Sequence, residues 1–264
     1  MSKEQKADNI NKKIKTMKKL FVCGLMLVSA IAFGQETVTR NLSSFNKLDI
    51  GGSFEAVIEQ GNSESVKITA EGVSADRIIT EVNGSTLDIH MERGEYHNIK
   101  VKIYLTYKKL DEINKSGSGN LTCNSDLTAT NFELHVSGSG NTIIPKKIKA
   151  QQVRLEKSGS GNVKLSALET DDADLHLSGS GNFDIADGRA KKQSLSISGS
   201  GSISAYGVRS DECSASITGS GDIHVSVSQL LKGMIAGSGS IVYQGEAQVQ
   251  QASIMGSGRI SRKS

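Results

Sequence analysis

One short block, Ser-Gly-Ser-Gly, constrains this chain more than any other feature. It first appears as KSGSGNL at Lys115 to Leu121, and its Gly-Ser-Gly core begins at Gly117, Gly138, Gly159, Gly179, Gly199, Gly219, Gly237 and Gly256. The intervals are 21, 21, 20, 20, 20, 18 and 19 residues. A near-constant period of this length marks a stacked repeat, in which each unit buries its apolar side only against its neighbours.

Aligning the copies on their first glycine assigns a role to each position. Four residues before it stand Ile113, Leu134, Leu155, Leu175, Leu195 and Ala215; four after stand Leu121, Thr142, Val163, Phe183, Ile203, Ile223, Ile241 and Ile260. Two before are Val136, Leu177, Ile197, Ile217, Ile235 and Ile254, with Lys115 and Lys157 as exceptions. Six after are Cys123, Ile144, Leu165, Ile185, Ala205 and Val225. The positions between are mostly polar, so each repeat supplies two strands that alternate inside and outside on either side of a Gly-rich corner.

Strands spaced this way keep the same residue types in register only if successive repeats lie on top of one another. The chain is therefore expected to be all-β, a parallel β-solenoid of 18–21 residues per coil, each strand pairing with its counterpart one coil on. Glycine at the corner permits positive φ and close approach of the coil above, and the serine between the glycines can form a hydroxyl ladder. Just past the corner come Asn120, Asn141, Asn162 and Asn182, then Ser202, Asp222, Ser240 and Arg259. Stacked asparagines can exchange amide hydrogen bonds from coil to coil; the alternative is a polar ridge for a ligand.

Composition agrees with short strands and tight corners: one proline, no tryptophan and 28 glycines in 264 residues. Residues 35–114 lack the block but alternate at period two in FNKLDI, SFEAVIEQG, SVKITAEG, STLDIHMERG and IKVKIYLTY, with glycines between. They read as irregular N-terminal coils of one domain, 35–264, whose repeat coils occupy 115–264.

Lys18 and Lys19 precede the apolar run LFVCGLMLVSAIAFG, with Ala32 and Gly34 before Gln35. This reads as a signal peptide over 17–34, preceded by an extension at 1–16 that lies upstream of a second candidate start, Met17. A membrane anchor is the alternative, but the run is shorter than the roughly 20 residues that span a bilayer. Cys23 sits too early in the run for a lipoprotein signal. The formal charge of +3 arises in this leader, because Met1 to Lys19 hold seven lysines against Glu4 and Asp8. From Gln35 onward 24 Lys and Arg face 26 Asp and Glu, a net of −2 that gives nucleic acid no concentrated basic face. Cys123 and Cys213 lie between four and five coils apart, beyond disulfide reach, and are expected as buried thiols.

Together the leader, FNKLDIGGSFEAVIEQG at Phe45 to Gly61, LDEI at Leu110 to Ile113 and the serial SGSGN blocks resemble the auto-transporter adhesin head domain family, also called the head GIN domain, of secreted Bacteroidetes-type proteins. The resemblance covers about Val38 to the C-terminus. It implies a right-handed parallel β-helix in the periplasm, at the outer membrane or outside the cell, and an adhesin-like role, and it offers no catalytic residues to carry over.

Searching for chemistry yields two clusters. His135, Glu156 and His176 stand three residues before consecutive corners, which places a carboxylate between two imidazoles; solvated ion pairing is expected there, since zinc wants three or four convergent ligands. Glu169, Asp171, Asp172 and Asp174, in ETDDAD, read as an acidic solvated loop, though a single calcium is conceivable. The Ca²⁺-binding nonapeptide repeat is missing, and Asp222 in SGSGD is isolated. His90, His97 and His224 show no partners at recognisable spacing, and no serine sits in a G-x-S-x-G elbow. No catalytic, metal or cofactor residues are expected.

The function expected is that of an exported, non-catalytic binding or surface-structural module, its partner a glycan or a surface protein and not nucleic acid, with no membrane span left after signal cleavage. The alternative is a carbohydrate-active enzyme, a polysaccharide lyase or hydrolase, on the same scaffold, which needs a groove lined by several carboxylates. The last coil, ASIMGSGRISRKS, leaves an open strand edge with Arg259, Arg262 and Lys263 as its charge protection.

Overall fold

The computed structural model describes residues 35–263. The leader read at 17–34 with its Cys23, and the extension at 1–16, lie outside the described residues. The chain forms a β-solenoid of about 8 turns. Its strands are β1 (Glu36–Asn41), β2 (Lys47–Gly51), β3 (Glu55–Gln60), β4 (Ser65–Glu71), β5 (Ile78–Asn83), β6 (Thr86–Met91) and β7 (Lys100–Tyr107). There follow β8 (Glu112–Ser116), β9 (Asn120–Cys123), β10 (Leu127–Thr128), β11 (Asn131–Ser137), β12 (Thr142–Lys149) and β13 (Gln152–Gly159). The last are β14 (Asn162–Gly179), β15 (Asn182–Gly199), β16 (Ser202–Gly219), β17 (Asp222–Gly237), β18 (Ser240–Gln244), β19 (Gln248–Met255) and β20 (Arg259–Arg262).

From β8 onward every pairing is parallel and one coil apart, as the period requires. Gly159 pairs with Gly179, Gly179 with Gly199, Gly199 with Gly219 and Gly219 with Gly237, so the corners stack in register. The reason glycine is needed is explicit at Gly159: its φ is +99°, and a Cβ there would lie 2.6 Å from the carbonyl oxygen of Gly138. The corners are joined through backbone, Ser180 and Gly181 both donating to the Gly159 carbonyl, and this contact replaces the hydroxyl ladder expected of the corner serines.

Each full coil is less broken than the sequence suggests. β14, β15 and β16 each run 18 residues without interruption, from one Gly-rich corner to the next. The remaining bends do not break pairing, but they break the inside-outside alternation and create two columns that the period-two reading passes over. One holds Leu127, Ile148, Leu168, Gly188 and Val208; the other holds Phe132, Val153, Ala173, Gln193, Cys213 and Leu231. All the predicted inward columns are buried from Ile113 to Ile241, and the buried apolar side chains form one continuous cluster from Phe45 to Ala247.

Residues 35–114 depart from simple coiling. β2 lies between β6 and β8, and β3 between β7 and β9, all parallel, so the chain lays down β2 and β3 before the outermost coil that flanks them. The outer edges of that coil are then covered by antiparallel strands: β5 on β6, β4 on β7, and β1 on β4. Antiparallel pairing is what short hairpin connections permit, and it closes the sheet edge at this end.

Candidate functional site

The strands β8, β11, β13, β14 and β15 carry two outward rows side by side. Alternation places Asp49, Asn114, His135, Glu156, His176 and Ser196 in one row, each opposite the next across parallel register. Two residues on, Ser116, Ser137, Ser158, Ser178 and Ser198 form an exposed row beside the corner. Between and over these rows lies a groove of about 540 Å³, lined by both. Six serine hydroxyls and two imidazoles therefore face the same open channel at the coil rise of ~4.8 Å.

The predicted arrangement of a carboxylate between two imidazoles is corrected at one of them. Glu156 Oε2 lies 2.9 Å from His135 Nδ1, while His135 Nε2 reaches Glu133 Oε2 at 3.2 Å. His176 turns instead to Asp174, 3.0 Å away on its own strand. Glu156 is further held by Arg154 Nε at 2.7 Å, and this bond, with His135, keeps its carboxyl below the usual glutamate range. Asp49 at the far end is raised by burial and by the neighbouring Asp88 and Glu112.

Beneath the groove floor, the two lysine exceptions of the inward column are buried, Lys115 at 4% exposure and Lys157 at 2%. Lys157 Nζ donates to the Gly159 carbonyl at 3.0 Å, whereas Lys115 Nζ has no hydrogen-bond partner among the described residues. Burial, and then repulsion from Lys157, pushes Lys115 down to about 8. These lysines lie below the corner and contribute to the lining of the groove.

The acidic cluster is not a loop. Glu169, Asp171, Asp172 and Asp174 lie within β14, and two of them take a lysine of their own. Lys147 holds Glu169 at 2.6 Å, Lys191 holds Asp171 at 2.8 Å and His176 neighbours Asp174. Among the described residues no three His, Cys, Asp or Glu converge on one point. His90 does have a partner that its spacing left unread, Asp88 at 2.9 Å, and His224 stacks on Tyr206 with ring centroids 5.0 Å apart. Asp222 serves the backbone ladder, accepting from the Ser240 amide at 3.0 Å. Cys123 and Cys213 are free and buried, and burial pushes Cys213 up to about 12.

At the C-terminal edge, Arg262 pairs with Glu246, and Lys263 Nζ sits 4.3 Å from the Tyr206 ring centroid. Arg259 remains exposed on the final strand.

A family model described as "Putative auto-transporter adhesin, head GIN domain" matches residues 44–247. Among solved structures, a putative lipid binding protein from Parabacteroides distasonis is 29% identical, with a TM-score of 0.80 over 87% of this chain and 97% of that one. A putative adhesin from Parabacteroides merdae is 25% identical, with a TM-score of 0.84 over 87% of this chain and 96% of that one. A second putative adhesin from Parabacteroides distasonis, 26% identical, has a TM-score of 0.81 over 87% and 97%. No curated protein matches the chain. No helix among the described residues is long and apolar enough to cross a membrane.

Proposed function

The chain belongs to the family of putative auto-transporter adhesins with a head GIN domain, and from that membership we propose that it is an exported, non-catalytic binding module whose ligand is an extended glycan laid along the serine and histidine rows. The leader at 17–34 would carry residues 35–264 out of the cytoplasm as one domain, to act in the envelope or at the cell surface. The observation that carries the reading is the groove itself: Ser116, Ser137, Ser158, Ser178 and Ser198 repeat at one hydroxyl per coil beside His135 and His176. Parallel pairing fixes their spacing before any ligand arrives, so little ordering accompanies binding. Hydroxyls and imidazoles both donate and accept, which suits a polyhydroxyl chain.

An enzymatic reading has less support from the same geometry. Glycoside cleavage wants two carboxyls about 5 to 9.5 Å apart with the sugar bond between them. Here Glu156, which lines the groove, shares the His135 imidazole with Glu133, which does not line it. Asp49 and Glu156 stand three coil steps apart, about 14 Å. The relative named as a lipid binding protein does not redirect the reading, because the interior that would shelter an acyl chain is filled by stacked aliphatic columns.

The test is a glycan array and a whole-cell binding assay with the purified protein, followed by Ser158→Leu and Ser178→Leu, which fill the groove from exposed positions. We expect binding to an extended glycan that weakens about tenfold or more in either variant. Retention of full affinity by both variants, or no binding to any glycan or cell surface, overturns the proposal.

A further inference from the structure

On a face of the coil separate from the serine groove, the register of β15 on β16 sets Arg189 directly opposite Arg209. Like charges facing each other across neighbouring strands cost stability. Most of the charges around them avoid that cost: Lys147 meets Glu169 at 2.6 Å, Lys191 meets Asp171 at 2.8 Å and Lys192 approaches Glu212 at 3.8 Å. Another like-charged row, Glu112 opposite Glu133, is bracketed by Lys47 and Arg154. The arginine row is bracketed by Glu169, already held by Lys147, and by Ser226. Arg189 is 71% exposed and pairs only loosely with Asp211, at 3.9 Å, and Arg209 forms no ion pair among the described residues.

The local backbone adds a second observation. The β16–β17 ladder shifts register between Ala205 and Arg209 and again between Ser210 and Glu212, a bulge on each side of the arginine. Bulges re-aim side chains on the β17 side, while the unshifted β15–β16 register holds Arg209 alongside Arg189 on the wall of a trough of about 430 Å³ that Ser226, Ser228 and Gly245 also line. That trough shares Arg189 and Asp211 with a neighbouring one of about 560 Å³. Two guanidinium forks about one coil rise apart can close on a single oxyanion with paired N–H donors.

We propose that Arg189 and Arg209 form an anion subsite on a second binding face, taking the carboxylate of a sparsely charged acidic polysaccharide. The sparseness follows from what flanks the pair. Asp211 lines both troughs and Asp171 the neighbouring one, so a polymer charged at every unit would place anions against them. A nucleic-acid strand, with a phosphate about every 3.4 Å, would do so repeatedly. A polysaccharide with a uronate on alternate sugars can seat one carboxylate between the arginines and lay neutral rings over the acids and hydroxyls.

The experiment is titration of the full chain, at low and at moderate salt, with hyaluronate, with neutral dextran and with single-stranded DNA. Hyaluronate is expected to bind and to weaken as salt rises, with dextran and DNA failing to compete. The double variant Arg189→Gln/Arg209→Gln should lose about tenfold or more of the affinity, and Lys164→Gln, an exposed lysine on another face, should lose none. Arg209→Gln alone should melt no lower than the parent, since it removes a repulsion, and this separates a binding role from a structural one. No affinity for hyaluronate, equal binding by the double variant, stronger binding of DNA, or a fall in melting temperature with Arg209→Gln would each overturn the assignment.

Discussion

At the scale of single residues, Lys115 is where sequence pattern and physical chemistry disagree most. It occupies a column otherwise filled by aliphatic side chains, pairing with Ile50 on one side and Val136 on the other, and its ammonium has no partner. With its value pushed down to about 8 from 10.5, the unfolded chain binds more protons than the folded one between those two pH values, so the stability due to this group rises as pH climbs through that window. Below pH 8 the buried charge costs on the order of 3 kcal/mol. Lys115→Met is therefore expected to stabilise the protein at pH 7 by about 1 to 3 kcal/mol, with the gain shrinking between pH 8 and 10.5. Urea unfolding of both proteins across that range checks it; a gain independent of pH would show that packing alone is responsible. The alignment found Lys115 and Lys157 as exceptions, but whether such a residue snorkels out or stays in depends on the room beneath the next corner, which an alignment does not carry.

Among elements, the asparagine row decides between ladder and ligand ridge. Asn120 Oδ1 accepts from the Asn141 amide, Asn141 Oδ1 from the Asn162 amide and Asn162 Oδ1 from the Asn182 amide, at 2.9, 3.0 and 3.1 Å. The side-chain amide of Asn182 adds a bond to the same Asn162 oxygen at 3.0 Å. The row is thus a structural ladder that satisfies a backbone donor at each step, where the corner leaves the amide without a strand partner. Asn162→Ala should cost about 1 to 2 kcal/mol, whereas Asn131→Ala, exposed and outside the ladder, should cost less than about 0.5 kcal/mol. Equal losses in denaturant unfolding would remove the ladder from the account of stability. The acidic stretch at 169–174 shows the converse. Its carboxylates cluster in sequence as a loop would, yet they lie in one continuous strand, where Glu169 and Asp171 meet different lysines and Asp174 meets His176.

For the molecule as a whole, the two ends differ. The N-terminal end is covered by antiparallel strands, while among the described residues β19 and β20 each pair on one side only. Ile254, in the inward column, is 42% exposed and Met255 64%, although Ile217 and Ile235 in that column are fully buried. Solenoid stability is a sum of coil and nearest-neighbour terms, so a coil with one neighbour is the weakest. Hydrogen exchange should be fastest in 248–263, slowest in the β14–β16 coils, and intermediate at the N-terminal end. Uniform exchange along the chain would mean that the solenoid opens as a single cooperative unit.

The sequence by itself determined the stacked β architecture, the coil length, the corner and the inward columns, because each is a short-range periodicity written once per coil and repeated. Tertiary structure alone decided the rest. The order of the first coils, with β2 and β3 enclosed by strands that follow them, depends on pairings across 35–114, where no repeat fixes the register. The groove needed side chains from successive coils to face one channel, and the arginine pair needed its two coils to bend so that both members line one trough. Side-chain direction at a bend is set by backbone geometry and by the coil above, and neither is encoded in the spacing of residues along the chain.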